Sequence, residues 1–154
     1  MYAAKRMYYG VDIFVKTDMI QGMAKKFDME MFFQALGDAT RLRLLNLMGG
    51  SEVCVCYFVE ILGQPQPKIS RHLAYLRRAG MVEARREGKW MHYRIVTPAN
   101  AGAARLLRET LKWMREERAM QADVAKLASV CCRPERYEMV AGAPVPAVFA
   151  ESAR

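Results

Sequence analysis

The stretch Gly63-Gln-Pro-Gln-Pro-Lys-Ile-Ser-Arg-His-Leu-Ala-Tyr-Leu-Arg-Arg-Ala-Gly80 constrains the fold of this chain more than any other. Pro67 suits the first helical position, where a missing N–H loses no hydrogen bond, and Gln66 before it suits the cap. Ile69, Leu73 and Leu76 then fall at i, i+4 and i+7 and make one apolar stripe, while Lys68, Ser70, Arg71, Tyr75 and Arg78 point elsewhere. A helix with one packing face and one face of donors fits the second helix of a helix-turn-helix, which contacts phosphates and base edges in a major groove. The plain alternative is an amphipathic surface helix. In the first reading Gln66, Lys68, Ser70, Arg71, His72 and Tyr75 face the nucleic acid.

The residues after Gly80 favour the same reading. Val82 and Ala84 alternate with polar residues before Glu87-Gly88, and Met91, Tyr93 and Ile95 do so after it, which predicts a β-hairpin turning at Glu87-Gly88. Arg85, Arg86 and Lys89 sit at or beside its tip. A helix-turn-helix with a basic hairpin behind it makes a winged helix, whose wing can touch the phosphate backbone or the minor groove. The alternative for the tip is a solvated charged turn. The fold class is therefore mainly α with a β-hairpin wing.

Size and charge agree with that class. The 154 residues suit one domain, and 24 Lys and Arg against 16 Asp and Glu give a formal charge of +8, which favours a polyanionic partner. Charge alone does not separate DNA from RNA or an anionic membrane. There is no run of ~18 apolar residues to span a bilayer, and Met1–Gly10 leads into no continuous apolar stretch, so a cytoplasmic protein is expected. The 4 cysteines are then expected to be thiols.

Other helices flank this unit. Met31, Phe32, Ala35 and Leu36 form a helix face ending near Gly37, and Asp38 caps a second helix over Ala39–Met48. Ser51–Leu62 supplies the first helix of the helix-turn-helix. Thr97-Pro98 reads as the start of one long final helix reaching about Ser129, with Leu106, Leu107, Leu111, Met114 and Leu127 more apolar than an end helix in one small domain can cover. A homodimer through the terminal helices would bury that surface and space two recognition helices ~34 Å apart, which suits a palindromic operator. The alternative is a helix folded back on its own domain. The expected organisation is an arm or short helix at 1–27, the winged-helix and dimerisation domain at 28–130, and a flexible tail at 131–154 that begins with a vicinal cysteine pair.

Taken together, Leu36-Gly-Asp-Ala-Thr-Arg-Leu-Arg-Leu-Leu45, Glu52-Val-Cys-Val-Cys56, Gln66-Pro-Lys-Ile-Ser-Arg-His-Leu73 and Arg85-Arg-Glu-Gly-Lys-Trp-Met-His-Tyr-Arg94 resemble the ArsR/SmtB family of bacterial metal-responsive repressors over roughly residues 28–128. The resemblance implies a dimeric winged-helix repressor, not an enzyme, that leaves its operator DNA when an inducer binds. Cys54-Val-Cys56 looks like the arsenic- and antimony-responsive branch, in which thiolates near the first helix of the helix-turn-helix hold the metalloid. Soft trivalent arsenic favours thiolates over imidazole or carboxylate. The implied inducer is As(III) or Sb(III), and no prosthetic group is expected.

Two residues at i and i+2 of a helix point ~200° apart, but on an extended segment they share a side. Cys54 is therefore expected in the approach and Cys56 at the helix start, where the helix dipole favours a thiolate. The chain departs from the best-known arsenic pattern at Val59, where a third cysteine often stands. Either Cys131 or Cys132 completes the Cys54/Cys56 site, or that vicinal pair is a site of its own, or it is incidental. A two-thiol site would suit a monomethylated arsenical. Family sensors of zinc, nickel or cobalt use His and carboxylates on the final helix, and that helix has no His. A redox- or persulfide-sensing repressor and a thiolate sensor of cadmium or lead are the alternatives.

Overall fold

Two aspartates start the first two helices. Asp28 Oδ1 accepts from the Met31 N–H at 2.9 Å to open α1 (Met29–Leu36), and Asp38 Oδ1 accepts from the Arg41 N–H at 2.9 Å to open α2 (Ala39–Met48). The computed structural model describes residues 26–150, so the arm expected at 1–27 lies outside the described residues but for its last two positions. Beyond α2 come β1 (Val53–Cys54), α3 (Val55–Leu62), α4 (Gln66–Arg78), β2 (Val82–Glu87), β3 (Trp90–Ile95), α5 (Ala101–Met114) and α6 (Arg118–Cys132). Single 3-10 turns come last, at Pro134–Arg136, Glu138–Val140 and Ala147–Phe149.

The helix-turn-helix is α3 and α4. Gly63 ends α3 at φ 61°, a left-handed conformation that favours glycine. Ile69, Leu73 and Leu76 of α4 are fully buried with Leu44, Leu45, Met48, Phe58 and Met81, as the apolar stripe requires. The wing is an antiparallel hairpin in which Glu87 pairs with Trp90. The turn is therefore Gly88-Lys89, one position later than expected, and Gly88 at φ 56° supplies the positive φ that a two-residue hairpin needs.

The Asp38 carboxylate has a second role. Burial alone would raise its pKa, but the N–H and charge of Arg41 and the nearby His72 outweigh burial and hold it below the usual carboxylate value. Its contribution is therefore complete above the ordinary carboxylate range and is lost as pH falls through the lowered value. Asp38→Ala is expected to cost about 1 kcal/mol near neutral pH. A series of thermal melts into acid should show wild type and variant converging.

Helix α4 starts one residue earlier than expected, with Pro65 at the cap and Gln66 as its first residue, and the structure departs from the sequence expectations elsewhere too. The helix expected over Ser51–Leu62 starts only at Val55: Val53 and Cys54, the latter extended as expected, join β3 in the sheet order β1-β3-β2, with Val53 opposite Tyr93 and Cys54 opposite His92. The final helix is two helices, α5 being capped by Asn100 rather than by Thr97-Pro98 and the chain turning between Met114 and Arg118. That turn lets α6 fold back: Asp123 accepts two hydrogen bonds from Arg43, at 2.6 and 2.7 Å, Asn46 donates to the Met120 carbonyl, and Lys126 donates to the carbonyls of Glu60 and Ile61. Leu127 and Val130 thereby enter the core. Finally, the segment expected to be a flexible tail from residue 131 packs instead: Cys131 and Val140 are fully buried and Ala143 nearly so, because their apolar surface covers α3 and the end of α6. Even so, Leu106 and Trp113 of α5 and Met29 and Phe33 of α1 remain exposed.

Candidate DNA-reading face and thiol pair

Helix α4 presents Gln66, Lys68, Arg71 and Arg78 outward, while Ser70, His72 and Tyr75 are half-buried. Tyr75 is engaged within the protein. Its hydroxyl donates to Gln34 Oε1 at 2.6 Å, and the Arg41 and Arg78 guanidinium carbons lie 4.4 and 5.2 Å from its ring centroid. Arg41 also donates from Nε to the Ala35 carbonyl at 2.9 Å and from Nη2 to the Gln34 carbonyl, so it ties the end of α1 to α2 and to the recognition helix. Tyr75 therefore helps to set the seat of α4. His72 likewise leans on the α2 cap, its Nδ1 3.5 Å from Asp38 Oδ1, and burial is the main cause that lowers its pKa.

In the wing, Arg85 is committed to carboxylates, donating to Glu52 Oε1 and to Glu87 Oε2 at 2.8 Å each. Arg86 donates only to the Gly88 carbonyl at 3.0 Å, and Lys89 Nζ lies 4.7 Å from the Trp90 ring centroid. Of the three basic residues predicted to hold phosphate from the wing, Arg86 and Lys89 keep uncompensated charge and Arg85 does not. Ion pairing by Glu52, a residue 33 positions away, is what the sequence pattern missed.

The thiol pair forms where the extended approach meets the helix. Cys54 is the N-cap residue of α3 with φ −69° and ψ 143°, and Cys56 stands in the first turn. Their sulfurs converge to 2.9 Å with both side chains buried, the Cys56 thiol donating to Cys54 Sγ. That hydrogen bond, together with the N–H groups of Cys56, Met91 and Val55, lowers the Cys54 pKa against the opposing effect of burial. Cys56, as the donor beside a forming thiolate, is pushed up. One thiol of the pair is thus primed as a nucleophile and the other holds its proton.

Cys131 and Cys132 do not form such a pair. Cys131 is fully buried, and burial pushes its thiol up to about 12, while Cys132 is exposed on another side of α6. Among the described residues no three Cys, His, Asp or Glu side chains converge as a metal-ligand set. His92, opposite Cys54 in the sheet, is buried with Nε2 unpartnered and 3.6 Å from Glu87 Oε2.

Sequence reasoning passes over Tyr57. It stands next to Cys56, is fully buried, and its hydroxyl has no hydrogen-bond partner among the described residues. Burial chiefly, and then the charges that Cys131, Cys56 and Cys54 can carry, push its phenol well above the ordinary value, so it is a neutral donor. Nothing in the sequence marks it except its place beside the Cys-Val-Cys run.

A recognition helix seated on α1 and α2, with a basic hairpin behind it, defines a winged helix-turn-helix regulator of the DNA-binding kind. The family model described as "Bacterial regulatory protein, arsR family" matches residues 38–84. Over 101 residues the chain is 44% identical to the arsenical resistance operon repressor of Escherichia coli K12, covering 65% of this chain and 85% of that protein. It is 38% identical over 108 residues to an arsenic resistance transcriptional regulator of Pseudomonas putida, covering 65% of this chain and 94% of that one. Among solved structures, the antimony-specific transcriptional repressor AntR aligns with a TM-score of 0.46 and 27% identity, covering 66% of this chain and 90% of that one. This chain belongs to the arsR family of bacterial regulatory proteins. Among the described residues no helix is long and apolar enough to cross a membrane.

Proposed function

We propose that this protein is an arsenic-responsive transcriptional repressor that holds operator DNA as a homodimer and leaves it when As(III), or Sb(III), binds Cys54 and Cys56. The observation that carries the proposal is the convergence of two buried thiols at 2.9 Å at the start of the helix on which α4 packs. The names of its relatives in Escherichia coli and Pseudomonas putida support the same inducer class. Exposed Leu106, Trp113, Met29 and Phe33 supply apolar surface for the dimer. Cys131 and Cys132 stand outside the inducer site, because one is buried as a neutral thiol and the other faces solvent.

The pair's geometry suggests how capture is felt. With bonds of ~2.3 Å, as in zinc thiolates, meeting near a right angle, two sulfurs on one arsenic stand roughly 3.3 Å apart. Capture removes the Cys56–Cys54 hydrogen bond and repositions the two side chains around one atom. Cys54 is held in the sheet opposite His92, so the displacement falls on Cys56 and the first turn of α3, and α3 carries the strain to α4. On the operator, Lys68, Arg71 and Arg78 of α4 contact DNA in the groove, and Arg86 and Lys89 hold phosphate.

Arg86→Ala/Lys89→Ala is expected to weaken binding to operator and unrelated DNA alike, and to lower the salt slope of log K by about 1–2. Anisotropy titrations at several salt concentrations check this. The inducer class is tested with the reduced wild-type protein on the DNA upstream of its own gene, titrated with arsenite, antimonite, cadmium, lead, peroxide and polysulfide. Release by the metalloids at the lowest concentrations supports the reading. Release by peroxide or polysulfide alone would favour a thiol redox sensor.

A further inference from the structure

The hydroxyl of Tyr57, the residue after Cys56, is buried without a hydrogen-bond partner among the described residues. A tyrosine hydroxyl without a partner in a protein interior is costly, and a phenylalanine would fill the same space without that cost. It stands on α3, which packs against α6, and its phenol is close enough to Cys131, Cys56 and Cys54 to feel their charges. None of these thiols accepts a hydrogen bond from it.

The inferred inducer chemistry supplies an acceptor. Capture of arsenite by two thiols breaks two S–H and two As–O bonds, forms two As–S bonds and releases two waters, with no change of oxidation state. The third arsenic ligand remains a hydroxide. Methylarsenite undergoes the same exchange, but its third ligand is a methyl group, which accepts nothing.

We propose that Tyr57 is a specificity-determining residue that donates its hydroxyl to the hydroxide retained on arsenic, so that the site selects inorganic arsenite over methylarsenite. The inference rests on Cys54 and Cys56 holding the inducer. It assigns the selectivity to a group that has no other role in the fold: the hydroxyl is unsatisfied in the free protein, satisfied by arsenite and left unsatisfied by a methylated arsenical. A site built to hydrogen-bond a ligand hydroxyl discriminates against the analogue that lacks it.

The test uses the full chain as wild type and Tyr57→Phe, with release from operator measured by anisotropy against arsenite and against methylarsenite. Each curve is referred to that variant's own operator affinity, and thermal melts are recorded without inducer. Tyr57→Phe is expected to raise the arsenite concentration for half-release roughly tenfold, to leave or lower that for methylarsenite, and to melt no lower than wild type. An equal shift for both arsenicals, or no shift for either, overturns the inference while the thiol site stands. A lower melting temperature overturns it too, because the hydroxyl would then have a structural partner. Wild type released by neither arsenical overturns the thiol reading itself, and this inference with it.

Discussion

Cys54→Ser/Cys56→Ser is expected to stay on its operator at arsenite concentrations that clear the wild type from it. Serine preserves the size and burial of both side chains but removes the soft donors, and oxygen ligands do not replace thiolate for trivalent arsenic. Changes in groups that only support a ligand already cost 10–100-fold in affinity, so loss of both ligands is expected to raise the half-release concentration by more than about a hundredfold. Each single variant should fall close to the double. One thiol leaves an open-chain adduct that does not bridge the approach to α3 and its first turn. Arsenic retained per protein after gel filtration is the companion measurement, and it should drop from one per chain to none.

The second large effect separates the two faces of the recognition helix. Leu73 is fully buried in α4, and Leu73→Ala is expected to cost about 2–5 kcal/mol, from the lost transfer energy and the cavity that remains. In a domain of this size the melting temperature should fall by roughly 10 °C or more. Arg71, two residues earlier and on the exposed face, carries no hydrogen bond or ion pair among the described residues. Arg71→Ala should leave the melt unchanged and weaken operator binding by about 1–3 kcal/mol. An Arg71→Ala protein with unaltered operator affinity would mean that α4 enters the groove by another face.

The recognition helix and wing are legible in the sequence because their signals are local: an apolar stripe at 3.6-residue spacing, strand alternation, and Gly88 at a hairpin turn. The convergence of Cys54 and Cys56 is legible for the same reason, since it comes from an extended residue meeting a helix start. The break after Met114 is not. Arg115-Glu-Glu-Arg118 contains no proline or glycine, and the chain turns there because α6 gains Arg43, Asn46 and the α3 carboxyl end as partners far away in sequence. The helical wheel alone assigns Tyr75 to the groove, whereas Gln34 and Arg41, on other helices, decide its orientation. Val140 and Ala143 sit in a stretch whose alanine and proline content suggests mobility, and only the apolar surface of α3 and α6 gives them somewhere to pack.

Release by way of Cys54 and Cys56 is tested by fluorescence anisotropy of the reduced protein on its own upstream DNA, titrated with arsenite, for wild type, Cys54→Ser/Cys56→Ser and Cys131→Ser/Cys132→Ser. Wild type and the Cys131/Cys132 variant are expected to be released at similar arsenite concentrations while the Cys54/Cys56 variant stays bound. Release abolished by the Cys131/Cys132 substitutions, and kept when Cys54 and Cys56 are replaced, would contradict the thiol-pair mechanism and move the inducer site to the end of α6.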